Sequence, residues 1–223
     1  MKRIASILLI GFVIGLAANA QSTELIMKTN MGDMTIMLYD DTPLHKDNFL
    51  TLVNDKFFDD LIFHRVIESF MIQSGNPNTR NHKDGESYAD GSKGTTVPAE
   101  IRPNHIHKKG ALSAARRGPG NPNKESSGSQ FYIVQGQKMT DAKLAQMQGG
   151  RSKPLTAKEI EIYKEFGGYP PLDFEYTVFG EVIDGLEVID QIAAVKVVNP
   201  QKRDNRPITD VKIISVRVKK KKK

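Results

Sequence analysis

Phe63-His64-Arg65-Val66-Ile67-Glu68-Ser69-Phe70-Met71-Ile72-Gln73-Ser74-Gly75 is the stretch on which the reading of this chain turns. Its apolar and β-branched residues predict two short strands, residues 62–67 and 70–73. Side chains alternate across a strand, so Phe63, Arg65 and Ile67 are expected on one face, and Met71 and Gln73 on one face of the next strand. Taken alone, an arginine in a strand is usually a solvated or ion-paired surface group, and a Phe-Met pair is usually core.

The surrounding sequence is built of similar short pieces. Residues 24–29 and 33–39 read as strands joined by the turn Asn30-Met31-Gly32. Thr42 before Pro43 reads as a helix N-cap with proline in the first turn, and Leu44, Asn48, Phe49, Leu52 and Val53 follow at helical spacing. Residues 74–98 are loop-like, and strands resume at 110–115 and 130–135. Residues 136–170 interrupt the β pattern. Within them Thr156-Ala157-Lys158-Glu159 has the capping-box form, and Gly167-Gly168 supplies a stop, which predicts one inserted helix. A strand at 176–182, a helix at 185–194 and a long final strand at 208–218 complete the chain. Many short strands with a helix near each end suggest a β-barrel with helical caps; periodicity alone does not separate it from a sandwich.

The 223 residues, 39% of them hydrophobic, suggest one domain with appendages. Lys2 and Arg3, an apolar run over residues 4–18 and Ala18-Asn19-Ala20 have the order of a cleavable export signal, so the mature chain is expected to begin at Gln21. The apolar run falls short of the ~20 residues that span a bilayer, so no transmembrane span is expected after cleavage. Cysteine is absent, which excludes disulfides and thiolate catalysis and suits an oxidising compartment such as the bacterial periplasm. The formal charge is +6, but Lys2, Arg3 and the five lysines at 219–223 carry seven positive charges, leaving −1 for the rest. That places the basic character in a solvated tail, and without interleaved aromatics it offers no specific nucleic-acid site. The expected organisation is therefore a signal at 1–20, one domain at 21–218 and a lysine tail at 219–223.

Four motifs in order carry a resemblance. The opening stretch resembles the cyclophilin signature around its catalytic arginine. Gly110-Ala111-Leu112-Ser113-Ala114-Ala115 and Ser127-Gly128-Ser129-Gln130-Phe131-Tyr132-Ile133 are similar to two further cyclophilin strands. Leu172-Asp173 followed by Thr177-Val178-Phe179-Gly180-Glu181-Val182 is similar to a fourth. The resemblance runs from about residue 25 to 218, less the insertion. It implies a mainly β fold: a closed eight-stranded antiparallel barrel capped by two helices, with the substrate groove on its outer face. It further implies a peptidyl-prolyl cis–trans isomerase that needs no metal or cofactor, acts on proline-containing polypeptides and is a monomer by family default. Arg65 matches the catalytic arginine. Phe70, Met71, Tyr132 and Leu172 match the floor and walls of the proline pocket, and Gln73 and Gln130 match residues that hold the arginine and the peptide. Ala115, Arg116 and Tyr176 complete the substrate-binding set, Arg116 through its backbone.

Those residue types suit the reaction. An Xaa-Pro bond rotates across roughly 18–20 kcal/mol of amide resonance, which takes tens to hundreds of seconds unaided. In the twisted transition state the nitrogen lone pair leaves conjugation and can accept a hydrogen bond. A fixed donor there binds the transition state more strongly than the ground state, with no covalent step. A guanidinium is always charged, planar and never required to release its proton.

Other features have plainer readings. Phe131, out of phase with Gln130 and Tyr132, reads as core, and His64 as a structural hydrogen-bonding residue. His105-Ile106-His107 has the spacing of a strand metal pair, but nothing nearby completes a site. Arg116-Arg117-Gly118-Pro119-Gly120 reads as a loop flanking the groove rather than a phosphate nest. Arg116-Arg117 stands where the family usually has Asn-Ala, which predicts a more basic groove favouring acidic residues beside proline; Tyr176 stands where animal members have histidine. Three functions are weighed: an isomerase assisting folding of exported proteins, a non-catalytic proline-segment binding module or chaperone, and an interaction protein working through the insertion and tail. The intact Arg65, Phe70 and Gln73 set favours the first.

Overall fold

Strands β1 (Thr23–Thr29) and β2 (Gly32–Leu38) pair antiparallel in full register, from Thr23 against Leu38 to Thr29 against Gly32. Leu25, Met27, Met34, Ile36 and Leu38 are buried while Glu24, Ile26 and Thr35 between them are not, the alternation of a sheet with one face on a core. The structure is a computed structural model that describes residues 23–81, 88, 91–118, 120–149, 151–199 and 204–220. The expected signal, 1–20, and the tail residues 221–223 lie outside the described residues.

Six more strands extend the hairpin into one antiparallel sheet: β3 (Arg65–Ile67), β4 (Met71–Ser74), β5 (Ala111–Ala114), β6 (Phe131–Val134), β7 (Val178–Asp184) and β10 (Ile213–Val218). The order is β10-β1-β2-β7-β5-β6-β4-β3. The closed barrel expected from the sequence needs correcting to a curved half-barrel, because β10 and β3 at the two ends do not pair with each other. The chain just before them meets instead. Ile62 bridges Lys212, and the N–H groups of Phe63 and Ile213 donate to the carbonyls of Val211 (2.9 Å) and Leu61 (2.8 Å). Asp60, at φ 64°, turns this segment out of strand geometry, so it joins the edges without continuing the ladder.

Two helices fill the inner face. α1 (Pro43–Asn54) buries His45, Phe49, Leu52 and Val53; α4 (Leu186–Ala193) buries Val188, Ile189, Ile192 and Ala193. Their apolar residues share one core with Phe63, Ile72, Leu112, Phe131, Ile133 and Phe179. Each such side chain contributes ~1.5–3 kcal/mol on burial. Phe131 packs edge-on against Phe49, Phe58 and Phe63, as its out-of-phase position predicted.

Three local expectations change. The 136–170 insertion holds two helices, α2 (Asp141–Gln148) and α3 (Ala157–Phe166), where the sequence predicted one. α2 buries only Leu144, so its apolar periodicity is too weak to read. α3 begins with the predicted capping box, Thr156 and Glu159 each satisfying the other's backbone N–H. The final strand starts at Ile213 instead of 208, because β8 (Val197–Asn199) and β9 (Asp204–Pro207) form a separate hairpin before it. Thr42 does stand at the N-cap of α1, but its side chain caps nothing. The Glu100 carboxylate takes over, accepting from the N–H groups of Leu44 (3.1 Å) and His45 (2.9 Å) and from the His45 ring.

Candidate active site

β3 and β4 place Arg65 opposite Gln73, and β4 and β6 place Gln73 opposite Tyr132. Three groove residues therefore stand in one row across three strands, which brings Tyr132, from a distant motif, beside Arg65 and Gln73 of the opening stretch. The expected facing of Phe63 with Arg65 does not hold. β3 begins only at Arg65; Phe63 precedes it and is buried in the inner core, whereas Arg65 is exposed on the outer side. Ser69, at φ 63°, makes the turn between β3 and β4, and its N–H is held by the Gln135 side-chain oxygen (2.6 Å).

Arg65, Phe70, Met71, Gln73, Ala115, Arg116, Tyr132, Leu172 and Tyr176 line a single cleft of about 250 Å³. Gln130 lines a second, larger cleft of about 610 Å³, which shares Gln73, Ala115 and Arg116 with the first. All the substrate residues expected from the sequence therefore converge. The 610 Å³ cleft adds Ser92, Thr96, Asn121 and Glu125, which carried no signal because they sit in loops without periodicity.

Inside the cleft the guanidinium is constrained. Arg65 Nη1 donates to Gln73 Oε1 (3.2 Å), Gln73 Nε2 donates to Gln130 Oε1 (2.8 Å), and Gln130 Nε2 donates to the Gly91 carbonyl. The Arg65 carbon Cζ lies 5.9 Å from the centre of the Phe70 ring, a cation–π distance. Burial lowers the guanidinium pKa, with Tyr176 acting the other way; the group starts so high that it stays charged. Phe70 is braced by Tyr169 at 4.4 Å between ring centres.

One expectation about polarity is corrected. Arg116 does not offer a free charge: its Nε donates to the Glu175 carbonyl (2.9 Å), its Nη2 pairs with the Glu175 carboxylate (3.1 Å), and it stacks over Tyr176 at 4.7 Å. The groove is thus less basic than its two adjacent arginines suggest. His64 is buried, and its ring nitrogens make no hydrogen bond of good geometry among the described residues, with the Gln130 side chain and the Ile62 backbone as their polar neighbours. Burial lowers its pKa to about 4; the Gln130 amide favours the protonated form, but more weakly. His105 and His107 part ways: His105 pairs with Asp41 (2.6 Å) and stacks on Tyr39 (4.0 Å), while His107 is buried against Asp173 (3.0 Å).

The family model described as cyclophilin type peptidyl-prolyl cis-trans isomerase/CLD matches residues 24–218. The chain belongs to that family. A Staphylococcus aureus (strain USA300) protein named "Putative peptidyl-prolyl cis-trans isomerase" is 39% identical over 197 residues, covering 87% of this chain and 91% of that protein. A Staphylococcus saprophyticus protein of the same name is 37% identical over 202 residues, covering 90% and 93%. Among solved structures, a Cryptosporidium parvum cyclophilin type peptidyl-prolyl cis-trans isomerase matches with a TM-score of 0.64 at 24% identity, covering 91% of this chain and 100% of that one. The same protein in the presence of the dipeptide Ala-Pro matches at 0.62 and 23%, covering 89% and 99%. This cyclophilin is a peptidyl-prolyl cis–trans isomerase.

Proposed function

We propose that this cyclophilin rotates Xaa-Pro bonds in the 250 Å³ cleft, with Arg65 as its catalytic residue and the proline ring seated on Phe70, Met71, Tyr132 and Leu172. The observation that carries this is the Arg65–Gln73 hydrogen bond at the rim of an aromatic-lined cleft. It holds a permanent donor in place before substrate arrives, so no reorganisation is needed when the prolyl nitrogen becomes pyramidal. The related C. parvum protein, described in the presence of Ala-Pro, supports a proline-containing ligand here. The test is the cis-to-trans rate of a short Xaa-Pro peptide. Arg65→Ala is expected to lower kcat/KM by roughly a hundredfold or more, and Arg65→Lys to recover little of it, since an ammonium lacks the planar fork. A folded Arg65→Ala protein with the wild-type rate would overturn the assignment.

We further propose that its clients are exported polypeptides. The support is the order of residues 2–20: two cations, an apolar run and small residues at a cleavage point. Among the described residues no helix is long and apolar enough to cross a membrane. N-terminal sequencing of the protein recovered from the periplasm is expected to begin at Gln21; a full-length cytoplasmic product would refute export.

A further inference from the structure

Tyr132 does more than line the cleft. Its ring meets Tyr176 edge-on at 5.7 Å, and its hydroxyl lies 3.0 Å from His107 Nε2. A phenylalanine would seat a proline as well, so the hydroxyl belongs to a different task.

The far side of His107 explains it. His107 Nδ1 lies 3.0 Å from Asp173 Oδ1, and the His107 backbone N–H donates to the same oxygen at 2.8 Å. A carboxylate only accepts, so Nδ1 carries a ring proton, and in the neutral imidazole Nε2 is then the acceptor. Burial keeps the Tyr132 phenol protonated, and it donates to Nε2. The direction of every bond is thereby set, from pocket wall to imidazole to carboxylate.

Asp173 is held in turn by the insertion. The Tyr163 hydroxyl, in α3, shares its one proton between the two carboxylate oxygens, at 2.9 and 2.7 Å. Arg151 pairs with Asp173 at 3.4 Å and with Glu159 of the capping box at 3.2 Å. His107, Asp173, Tyr163 and the Arg151 side chain are all no more than 1% exposed. In so dry a setting an unsatisfied member is costly, so Tyr132, His107, Asp173 and Tyr163 act as one unit, while Arg151, whose Nε and Nη1 have no hydrogen-bond partner among the described residues, adds only its charge.

We propose that His107 and Asp173 are positioning residues for the proline cleft, and that the 136–170 insertion, through Tyr163 and Arg151, sets where the Tyr132 wall stands. The inference rests on the reading of the cleft as the proline seat. Tyr163 does not line that cleft, so an effect of its hydroxyl on substrate can travel only through the network.

The test is an NMR titration of the folded protein with a short Xaa-Pro peptide, together with the cis–trans exchange rate of the bound peptide. Tyr163→Phe and His107→Leu are each expected to raise the peptide Kd roughly threefold to tenfold. The bound exchange rate should stay within about twofold, because Arg65 and Gln73 keep their bond. The aromatic signals of Tyr132 should shift in Tyr163→Phe. In a Tyr132→Phe background, His107→Leu should cause no further loss, since the tether it breaks is already gone. A folded Tyr163→Phe protein with unchanged peptide Kd and unchanged Tyr132 signals would overturn the proposal. So would a His107→Leu effect of equal size in both backgrounds. If His107→Leu does not fold, Tyr163→Phe decides alone. A wild-type rate in Arg65→Ala is a separate failure: it removes the site reading, and the positioning role with it.

Discussion

Gln73 uses both ends of one amide. Its oxygen accepts from Arg65 and its nitrogen donates to Gln130, so the guanidinium is anchored to the strand next to its own. Gln73→Ala removes the anchor while leaving the charge. A freed arginine samples rotamers that miss the prolyl nitrogen, and kcat/KM is expected to fall about tenfold. Because Gln73 is only partly buried, the melting temperature should change little. A tenfold loss accompanied by a collapse in Tm would point to a structural role. Arg65, Phe70 and Gln73 were legible beforehand because all three fall in the one 13-residue stretch that resembles the cyclophilin signature. Phe63 was not, since the strand begins three residues later than its composition suggests.

Helix α1 shows the limit of reading caps from neighbouring residues. Thr42-Pro43 has the right composition for a cap, yet Glu100, far along the chain, satisfies the first turn. A carboxylate there also opposes the positive end of the helix dipole. The same group holds the His45 ring, whose other nitrogen meets Ser126 at 2.9 Å. Glu100→Ala strands two backbone N–H groups and a buried imidazole, and is expected to cost about 2–4 kcal/mol. Chemical denaturation measures it; a loss below half a unit of that range would mean that Thr42 or water replaces the cap. Helix α3, whose cap is four residues long, was legible in the sequence for the opposite reason. The ends of the insertion meet where Gln137 bridges Gly168 and Gly168 bridges Lys108. A Cβ on Gly168 would strike the His107 carbonyl oxygen, so only glycine lets the insertion return so close to the relay.

For the molecule as a whole, buried histidines tie stability to pH. His64 titrates at about 4 in the folded chain because burial disfavours its charged form, against 6.5 unperturbed. Between those values the unfolded chain binds a proton that the folded chain refuses. The stability is fully present above pH 6.5 and is lost as pH falls towards 4, on the order of 3 kcal/mol. His45 is also lowered by burial, in spite of Glu100, and adds in the same direction. Denaturant midpoints from pH 7.5 down to 4.5 should fall steadily, and His64→Leu should flatten the curve; an equal slope in the variant would assign the effect elsewhere. By itself, the sequence determined the alternating strands, the two core helices, the family and which residues to look for around one cleft, because each rests on patterns a few residues long or on motifs kept in order. Only the tertiary structure decided that the barrel edges meet through loops, that Glu175 neutralises Arg116, and that Tyr163 reaches Tyr132 through Asp173 and His107. Those contacts join residues from separate loops and helices, and their partners depend on the path of the chain in space, which no local period records.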